Sequence, residues 1–214
     1  MYPFFAMLSR MKYINRWGLM RNTRSENICE HSLEVALIAH ALATVGNQKF
    51  GKSYNPERAA LLAVFHDAPE IITGDMPTPV KYHSGALTAA YKEVERGAAE
   101  KLVSMLPVEL QSAYEPLISG KVGDDAEQLV KAADRLSAYI KCIEERKAGN
   151  LEFKKAGEQT YEALRQNPLP ALAYFMERFL PGFHLTLDEL QGSGDEIFGQ
   201  TTLDLTSGKE GTQL

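Results

Sequence analysis

Long apolar runs are missing from this 214-residue chain. The longest uninterrupted stretch, residues 59–65, has seven apolar residues, whereas a membrane-spanning helix needs about 20. The N-terminus also lacks the charged segment followed by an apolar segment that marks a secretory signal. We therefore expect a protein with no membrane span and no secretory leader.

Cysteine is scarce, and the two that occur, Cys29 and Cys142, do not form a C-x-x-C pair. A disulfide framework or a zinc knuckle requires closely patterned cysteines, so isolated thiols are more typical of a reducing compartment. We therefore expect a cytoplasmic location.

Basic residues are also in the minority. The 23 lysines and arginines stand against 28 aspartates and glutamates, which gives a net charge of −5. Binding to a nucleic-acid polymer depends on clustered basic side chains that displace counterions from the phosphates. We therefore expect no polymeric nucleic acid among the partners of this chain.

Sustained alternation of polar and apolar residues, which marks a strand, does not occur in any window of the sequence. Apolar residues recur instead at the three- and four-residue spacing of amphipathic helices. We predict one all-α domain of about seven to eight helices with no sheet, and the length suits a single core. The predicted helices span about residues 4–14, 29–45 (stopped by Gly46-Asn47), 55–66, 84–106, 124–148, 150–166 and 169–180.

The C-terminal segment from Gln191 to Leu214 differs in composition from the rest of the chain. It has five glycines in 24 residues and a single aromatic residue, Phe198. So little apolar surface does not offset the entropy of ordering the chain. We therefore divide the sequence into a folded domain, residues 1–190, and a flexible glycine-rich tail, residues 191–214.

The third predicted helix has a clear start and an unusual end. Asn55 can cap its free amides, and Pro56 suits the first helical position. Residues 59–65 are apolar on every face, which predicts a helix through the middle of the domain. His66 and Asp67 then follow. Because burying an imidazole and a carboxylate is unfavourable without a partner, the two either bond to each other in the core or bind a cation.

Other polar residues favour the cation. A His-Asp dipeptide alone is a weak motif, but Glu70 follows within one helical turn, His31 lies at the start of the second helix, and Asp134 borders an apolar stripe. Two imidazoles and two carboxylates from three helices would form an N₂O₂ set that suits Mn²⁺, Co²⁺ or Zn²⁺ and leaves coordination positions open for water. Open positions are typical of a catalytic metal.

Several of these short motifs together resemble those of the HD-domain phosphohydrolases. In chain order they are Glu30-His31-Ser32, His66-Asp67-Ala68-Pro69-Glu70 and Asp134. Further segments resemble, more narrowly, the bacterial 5′-deoxynucleotidases of the YfbR type: Ile14-Asn15-Arg16-Trp17, Leu19-Met20-Arg21-Asn22, Glu30-His31-Ser32-Leu33, Thr73-Gly74-Asp75-Met76-Pro77-Thr78-Pro79-Val80-Lys81 and Tyr174-Phe175-Met176-Glu177. The H…HD…D pattern alone indicates the superfamily, whereas the Arg-Trp pair with the Thr-Gly-Asp loop is more specific. Pro69 departs from the family pattern, which has a small residue there.

The resemblance implies hydrolysis of deoxyribonucleoside 5′-monophosphates to deoxynucleoside and phosphate by a homodimer of all-α subunits. It implies one divalent metal ion, with Co²⁺ or Mn²⁺ favoured over Mg²⁺ or Zn²⁺, and Glu70 as the nearby acid or base. The implied metal ligands are His31, His66, Asp67 and Asp134.

The resemblance also implies a substrate site. Arg16 would hold and orient the phosphate, to which its planar guanidinium can bond bidentately. Trp17 would lie against the sugar, where an indole near the 2′ carbon leaves no room for a ribose hydroxyl. Asp75 and the loop that follows it would contact the nucleoside. The loop residues are Met76, Pro77 and Thr78.

Other interpretations of the same residues stay open from sequence. A lone tryptophan is more often a packing anchor than a ligand platform, and Asp75 could serve only the turn chemistry of a Gly-Asp pair. The same metal ligands could serve a deoxynucleoside triphosphate triphosphohydrolase, or a non-catalytic module that binds nucleotide. Beyond Arg16 and Lys81, no basic cluster is placed to hold β and γ phosphates, which favours monophosphates.

Overall fold

The computed structural model describes residues 1–81, 83–120 and 123–192, and helices make up nearly all of its regular structure. Eleven α-helices occur in these ranges. They are α1 (Phe4–Leu8), α2 (Ile28–Phe50), α3 (Pro56–Phe65), α4 (Glu70–Thr73), α5 (Thr78–Lys81), α6 (Gly85–Val103), α7 (Val108–Ser119), α8 (Ala126–Lys147), α9 (Lys154–Arg165), α10 (Pro170–Arg178) and α11 (Leu187–Gln191). Three 3₁₀ segments span Ser9–Tyr13, Leu151–Phe153 and Leu180–His184.

The prediction of an all-α fold is confirmed. The described residues contain one isolated bridge, between Asn15 and Asn27, and no longer strand pairing. The helix number is somewhat higher than the predicted seven to eight, because single-turn helices such as α4 and α5 are too short to carry a periodic apolar stripe. Residues 193–214 of the predicted flexible tail lie outside the described ranges.

The main core lies where α2, α3 and α8 pack against one another, with α10 covering α2. Leu42, Leu62 and Leu136, one from each of the three central helices, are at most 1% exposed. Burial of each such side chain stabilises the fold by about 1.5–3 kcal/mol. The same packing brings the first turn of α2, the end of α3 and the middle of α8 to one place.

Helix α2 does not stop at Gly46-Asn47, so that prediction is wrong. Gly46 is a packing residue, since a Cβ atom there would lie 2.6 Å from the Tyr54 ring. The Asn47 side chain bonds to both the backbone N–H and the carbonyl of Tyr54. The helix instead ends at Gly51, whose φ of +62° is the left-handed conformation that favours glycine at a helix end.

Helix α3 begins as predicted, because the Asn55 side chain accepts a hydrogen bond from the Arg58 amide and Pro56 opens the helix. It is not enclosed on every side, however. Leu61 is 47% and Val64 is 41% exposed. A continuous apolar run therefore marked a helix that borders the core with one face, and the expectation of a fully central helix is corrected.

One helix, α2, is long and apolar enough by length and composition to cross a membrane, with a mean hydropathy of 1.3 in its most apolar window. Slightly more than half of that window is buried against the rest of the chain. The core helix of a globular domain has this character as well, and α2 contacts α3, α8 and α10 along its length.

The remaining predicted helices occur in the predicted order, and beside α4 and α5 the structure adds α7 and α11. Ser84 caps α6 by accepting from the Leu87 amide, and Asp124 accepts from the Ala126 amide at the start of α8. Helix α7 was not predicted, because Pro116 interrupts its pattern. It packs with α1 and α6 around a second apolar cluster whose most buried members include Phe4 and Leu102.

Candidate metal and phosphate site

Four predicted ligands meet where α2, α3 and α8 converge. His31 lies in the first turn of α2, His66 caps the end of α3, Asp67 follows it, and Asp134 lies in the middle of α8. The His31 Nε2 atom is 3.1 Å from an Asp134 carboxylate oxygen and 3.5 Å from an Asp67 oxygen. Ligand atoms of the two histidines and Asp134 all lie within 4.8 Å of one another. The helices thus bring two imidazoles and two carboxylates together.

Hydrogen bonds leave one nitrogen of His66 directed into the cluster. Its Nδ1 lies 2.6 Å from the Ala63 carbonyl oxygen, to which it donates. Its Nε2 is buried without a hydrogen-bond partner, although an Asp67 oxygen is 3.2 Å away. A histidine that donates one ring nitrogen to a carbonyl and offers the other is in the usual arrangement of a metal ligand.

The carboxylates and imidazoles of the cluster stabilise one another's charged forms. Burial opposes ionisation of both aspartates, yet the contact with His66 lowers the pKa of Asp67 and the bond to His31 lowers the pKa of Asp134. Burial likewise favours neutral imidazoles, but Asp134 and Glu26 raise the pKa of His31 to about 9, and Asp67 raises the pKa of His66. A divalent cation would supply positive charge to both carboxylates and bind the imidazoles in their neutral form. The donor set therefore fits one divalent metal ion.

Glu70, the first residue of α4, lies beside this cluster as a half-buried acid. Its burial, together with the negative charges of Asp67 and Asp75, raises the pKa of its carboxyl group to about 9. One of its oxygens, Oε2, is buried without a hydrogen-bond partner. At neutral pH the group is therefore protonated and able to donate a proton.

Arg16 approaches the cluster from the segment between the first 3₁₀ turn and α2. Its amide donates to the Glu26 carbonyl, and the Ile28 amide donates to the Ile14 carbonyl, so two short segments pair around the Asn15–Asn27 bridge. The Arg16 guanidinium lies 2.8 Å from His31 Nδ1 and 3.8 Å from an Asp134 oxygen. A cation with several N–H donors thus borders the predicted metal position.

Trp17 has a backbone conformation that is unusual for a large side chain. Its φ is +58°, the only positive value at a non-glycine among the described residues. Its amide donates to an Asp75 carboxylate oxygen at 3.2 Å, its indole N–H donates to Glu26 at 2.9 Å, and its ring packs on Phe153 with centroids 5.2 Å apart. Such backbone strain costs about 1–3 kcal/mol and persists only where surrounding contacts fix the conformation.

The loop that follows α4 is joined to this arrangement through Asp75. Burial raises the pKa of Asp75, while the charge of Arg16 opposes that rise. Met76 and Pro77 are half-buried, and Thr78 is exposed at the start of α5. Among the described residues, the last three side chains make no hydrogen bond or ion pair with the metal cluster. The structure therefore brings Asp75 to Trp17 but gives the rest of the loop no polar link to the cluster.

Sequence reasoning missed several residues that hold the predicted site residues. Glu26 bonds to both Arg16 and Trp17. Ser137 lies 3.1 Å from His31 Nδ1 and donates its hydroxyl to Glu34. Ser137 was detectable, because it follows Asp134 by three residues and so shares its face of a helix. Glu26 had no such signal, since it sits in an irregular segment with no periodicity.

A second buried network fastens the far end of the Arg16–Trp17 loop. The Glu145 carboxylate, in a side chain only 1% exposed, accepts from the backbone amide and hydroxyl of Thr23, from the side-chain Nδ2 of Asn150 and from Lys141. Lys141 also donates to the Arg24 carbonyl. The loop is thereby attached to the last turns of α8.

Comparison with known sequences identifies close relatives. A family described as 5′-deoxynucleotidase YfbR-like matches residues 3–183. A 5′-deoxynucleotidase from Erwinia tasmaniensis is 54% identical over 188 residues, which cover 87% of this chain and 95% of the relative. The 5′-deoxynucleotidase YfbR of Escherichia coli O1:K1 is 55% identical over 191 residues, covering 87% of this chain and 94% of the relative.

Solved structures agree with the fold. An HD-domain phosphohydrolase from Listeria innocua superposes with a TM-score of 0.75 at 24% identity, covering 84% of this chain and 87% of that one. The HD phosphohydrolase DatZ of cyanophage S-2L, solved with dA and one catalytic Zn²⁺ ion, superposes with a TM-score of 0.57 at 22% identity, covering 83% and 96%. At these identities the likeness concerns the fold alone.

Proposed function

Because this chain belongs to the YfbR-like 5′-deoxynucleotidase family of HD-domain phosphohydrolases, we infer that it removes the 5′-phosphate from deoxyribonucleoside 5′-monophosphates in a metal-dependent reaction. The products are a deoxynucleoside and inorganic phosphate. The strongest support from the site is the convergence of two imidazoles and two carboxylates beside a half-buried arginine and a protonated glutamate.

We propose one divalent metal ion, with Co²⁺ or Mn²⁺ favoured. When bound, such an ion lowers the pKa of a coordinated water and neutralises charge on the phosphoryl oxygens. The orphaned Nε2 of His66 supports this assignment. The cyanophage protein was solved with one catalytic Zn²⁺ ion, so zinc is a further candidate. The residues proposed to hold the ion are His31, His66, Asp67 and Asp134.

Two charged side chains are proposed to act on the phosphate ester. Arg16 already borders the metal cluster, and its N–H groups would bond to phosphoryl oxygens and orient the phosphate. Glu70 is protonated because burial and neighbouring carboxylates raise its pKa to about 9. A 5′-alkoxide is a poor leaving group, so Glu70 would protonate that oxygen, directly or through a water molecule.

Substrate selection is proposed to depend on Trp17 and on the loop after α4. The indole is fixed beside Arg16, so it would lie next to the sugar when the phosphate is held by Arg16. An indole against the 2′ carbon excludes a ribose hydroxyl. Asp75 fixes the Trp17 amide, and it would contact the nucleoside together with three neighbours. These neighbours are Met76, Pro77 and Thr78.

A cytoplasmic homodimer is also proposed. Leu33 and Leu37 lie one turn apart on α2 and are 61% and 66% exposed. An exposed apolar stripe of this kind is suited to a partner subunit. Light scattering coupled to size-exclusion chromatography would give twice the monomer mass of 23.8 kDa if the dimer forms, and the monomer mass would contradict it.

The reaction is tested by phosphate release from matched nucleotides. Metal-stripped protein is resupplied with Co²⁺, Mn²⁺ or Mg²⁺ and given dAMP, AMP or dATP. Orthophosphate from dAMP, little from AMP and none from dATP is the expected result. Tripolyphosphate from dATP would identify a triphosphohydrolase, and no turnover with any metal would support a binding module.

The metal assignment is tested with two histidine variants on the same helix. His31→Ala removes a proposed ligand, whereas His40→Ala changes an exposed histidine elsewhere on α2. We expect H31A to lose cobalt binding, measured by the visible absorption of the bound ion, and H40A to keep it. Equal cobalt binding by both variants would contradict the proposed ligand set.

A further inference from the structure

The side chain of Glu26 joins the two residues proposed to recognise the substrate. One carboxylate oxygen accepts from Arg16 Nη1 at 3.2 Å, and the other accepts from the indole N–H of Trp17 at 2.9 Å. The Glu26 side chain is 12% exposed, so both contacts are largely shielded from water. The first oxygen also lies 3.5 Å from His31 Nδ1. The carboxylate therefore fixes the spacing between a guanidinium and an indole beside a proposed metal ligand.

The backbone reinforces this link. The Glu26 carbonyl accepts the Arg16 amide at 2.9 Å, so Arg16 is tied to Glu26 through both main chain and side chain. Asn27, the next residue, caps α2 by accepting from the amides of Cys29 and Glu30. Glu26 is thus anchored to the helix that carries His31. The position of Arg16 and Trp17 relative to the proposed metal ligands is thereby fixed.

Arg16 and Trp17 depend on their contact with Glu26 to different degrees. Arg16 also lies 3.8 Å from an Asp134 oxygen, so a second anion is available to it. For the indole N–H of Trp17, Glu26 is the only acceptor among the described residues. The strained φ of +58° at Trp17 means that the side chain stays in place only while its contacts hold it.

We propose that Glu26 is a positioning residue that sets sugar selectivity, because its carboxylate holds the Trp17 indole at a fixed distance from the phosphate-binding guanidinium of Arg16. This inference rests on the proposed function, in which Trp17 excludes the ribose hydroxyl. Loss of the carboxylate frees the indole to move, and a movable indole admits a 2′-hydroxyl. Glu26 itself does not need to touch the substrate.

The position of the indole can be measured without any turnover. Trp17 is the only tryptophan in the chain, so intrinsic tryptophan fluorescence reports on this residue alone. In Glu26→Ala we expect lower steady-state anisotropy and stronger acrylamide quenching than in the wild type. Glu26→Gln keeps an acceptor oxygen, and it should give intermediate values. The control is Glu162→Gln on the exposed surface of α9, which should match the wild type.

Selectivity is measured on the same proteins as the ratio of kcat/KM for dAMP to that for AMP. A lost buried hydrogen bond to a charged group typically changes an equilibrium about tenfold or more, so we expect E26A to lower the ratio by about tenfold. E26Q should fall between E26A and the wild type, and E162Q should keep the wild-type ratio. An unchanged ratio and unchanged fluorescence in E26A would overturn the proposal.

A double-mutant cycle separates the indole from the guanidinium. Trp17→Phe keeps a ring but has no N–H for Glu26 to accept, so adding E26A to W17F should leave the dAMP:AMP ratio as it is in W17F alone. A further tenfold fall in that background would overturn the role assigned to the indole contact. If E26A does not fold, judged by circular dichroism, E26Q carries the same comparison.

The outcome also distinguishes this inference from the proposed function. A wild-type protein that hydrolyses dAMP and AMP equally would refute selection by Trp17, whatever the variants do. A selective wild type whose selectivity survives E26A would leave the proposed function standing and refute only the role of Glu26.

Discussion

Replacing Glu145 by alanine is expected to be among the most damaging single changes outside the proposed metal site. The Glu145 carboxylate is buried at the end of α8, where it accepts from Thr23, Asn150 and Lys141. The Lys141 ammonium is only 6% exposed. Without Glu145 it still donates to the Arg24 carbonyl, but it has lost the carboxylate that neutralises its charge. The loop that carries Arg16 and Trp17 also loses its attachment to α8.

Two separate arguments give a similar magnitude for the loss of folding free energy in Glu145→Ala. Removing one member of a buried ion pair typically costs about 3–5 kcal/mol. Burial opposes ionisation of Glu145, but its bonds with Lys141, Asn150 and Thr23 outweigh burial and lower its pKa to about 2. Set against an ordinary glutamate pKa of about 4.3, this shift corresponds to roughly 3 kcal/mol. Since the pKa is lowered in the folded state, this stabilisation is complete above the unfolded pKa and is lost as the pH falls toward 2.

The measurement is the free energy of unfolding in urea at pH 7, with thermal unfolding alongside. A loss of about 3–5 kcal/mol would lower the Tm of a chain of this length by roughly 6–20 °C. Glu144→Ala is the matched control, because Glu144 is the preceding residue on the same helix and is exposed. A loss below about 1 kcal/mol in E145A, or an equal loss in E144A, would refute the reasoning. Between pH 5 and pH 2, the wild type should lose stability more steeply than E145A.

Three further outcomes follow from the structure. Glu70→Gln should lower kcat by about 10²–10⁴-fold. The wild-type rate should fall as the pH rises through the Glu70 pKa of about 9, and the variant should not show this fall. If the variant shows the same fall, the titrating group is a different residue. Gly46→Ala should destabilise the fold by about 1–3 kcal/mol, because the new Cβ overlaps with the Tyr54 ring. Gly97→Ala in α6, where a Cβ meets nothing within 4 Å, should stabilise the fold by about 0.5–1 kcal/mol. A higher Tm for G46A than for G97A would contradict both predictions. Adding Co²⁺ at about 100 times its Kd should stabilise the metal-stripped wild type by about 2.7 kcal/mol, and Asp134→Asn should lose most of that gain in a thermal shift assay.

The sequence was sufficient for the parts of this molecule that depend on local periodicity and capping. Asn55 caps α3 as its residue type predicted, and α6 and α8 begin within two residues of their predicted starts. The error at Gly46 has a physical cause. A glycine stops a helix only when the chain turns there, and at this position the missing Cβ instead admits the Tyr54 ring. Such a contact between two segments is not visible in a helical pattern.

The meeting of the proposed ligands could be predicted from the sequence, whereas the contacts of Glu26 could not. Asp134 borders the apolar stripe of its helix, His31 lies at the start of the second helix and His66 directly follows the apolar run of the third. These polar positions next to predicted core segments were therefore expected to meet. Glu26 lies in an irregular segment, and its contacts depend on how the Asn15–Asn27 bridge folds that segment back on itself. Periodicity carries no information about such a bridge.

Three contacts hold Trp17 in its strained backbone conformation. A tryptophan in the left-handed backbone region is unfavourable in isolation. Three contacts stabilise it here: Asp75 accepts from the Trp17 amide, Glu26 accepts from the indole N–H, and Phe153 packs on the ring. These three residues come from three separate parts of the chain. The indole is therefore fixed before any nucleotide arrives, and a rigid wall discriminates against one added hydroxyl better than a mobile one, since a mobile side chain yields to the larger sugar. If Trp17 selects the sugar as proposed, selectivity depends on all three of these contacts, and weakening any one of them should relax it.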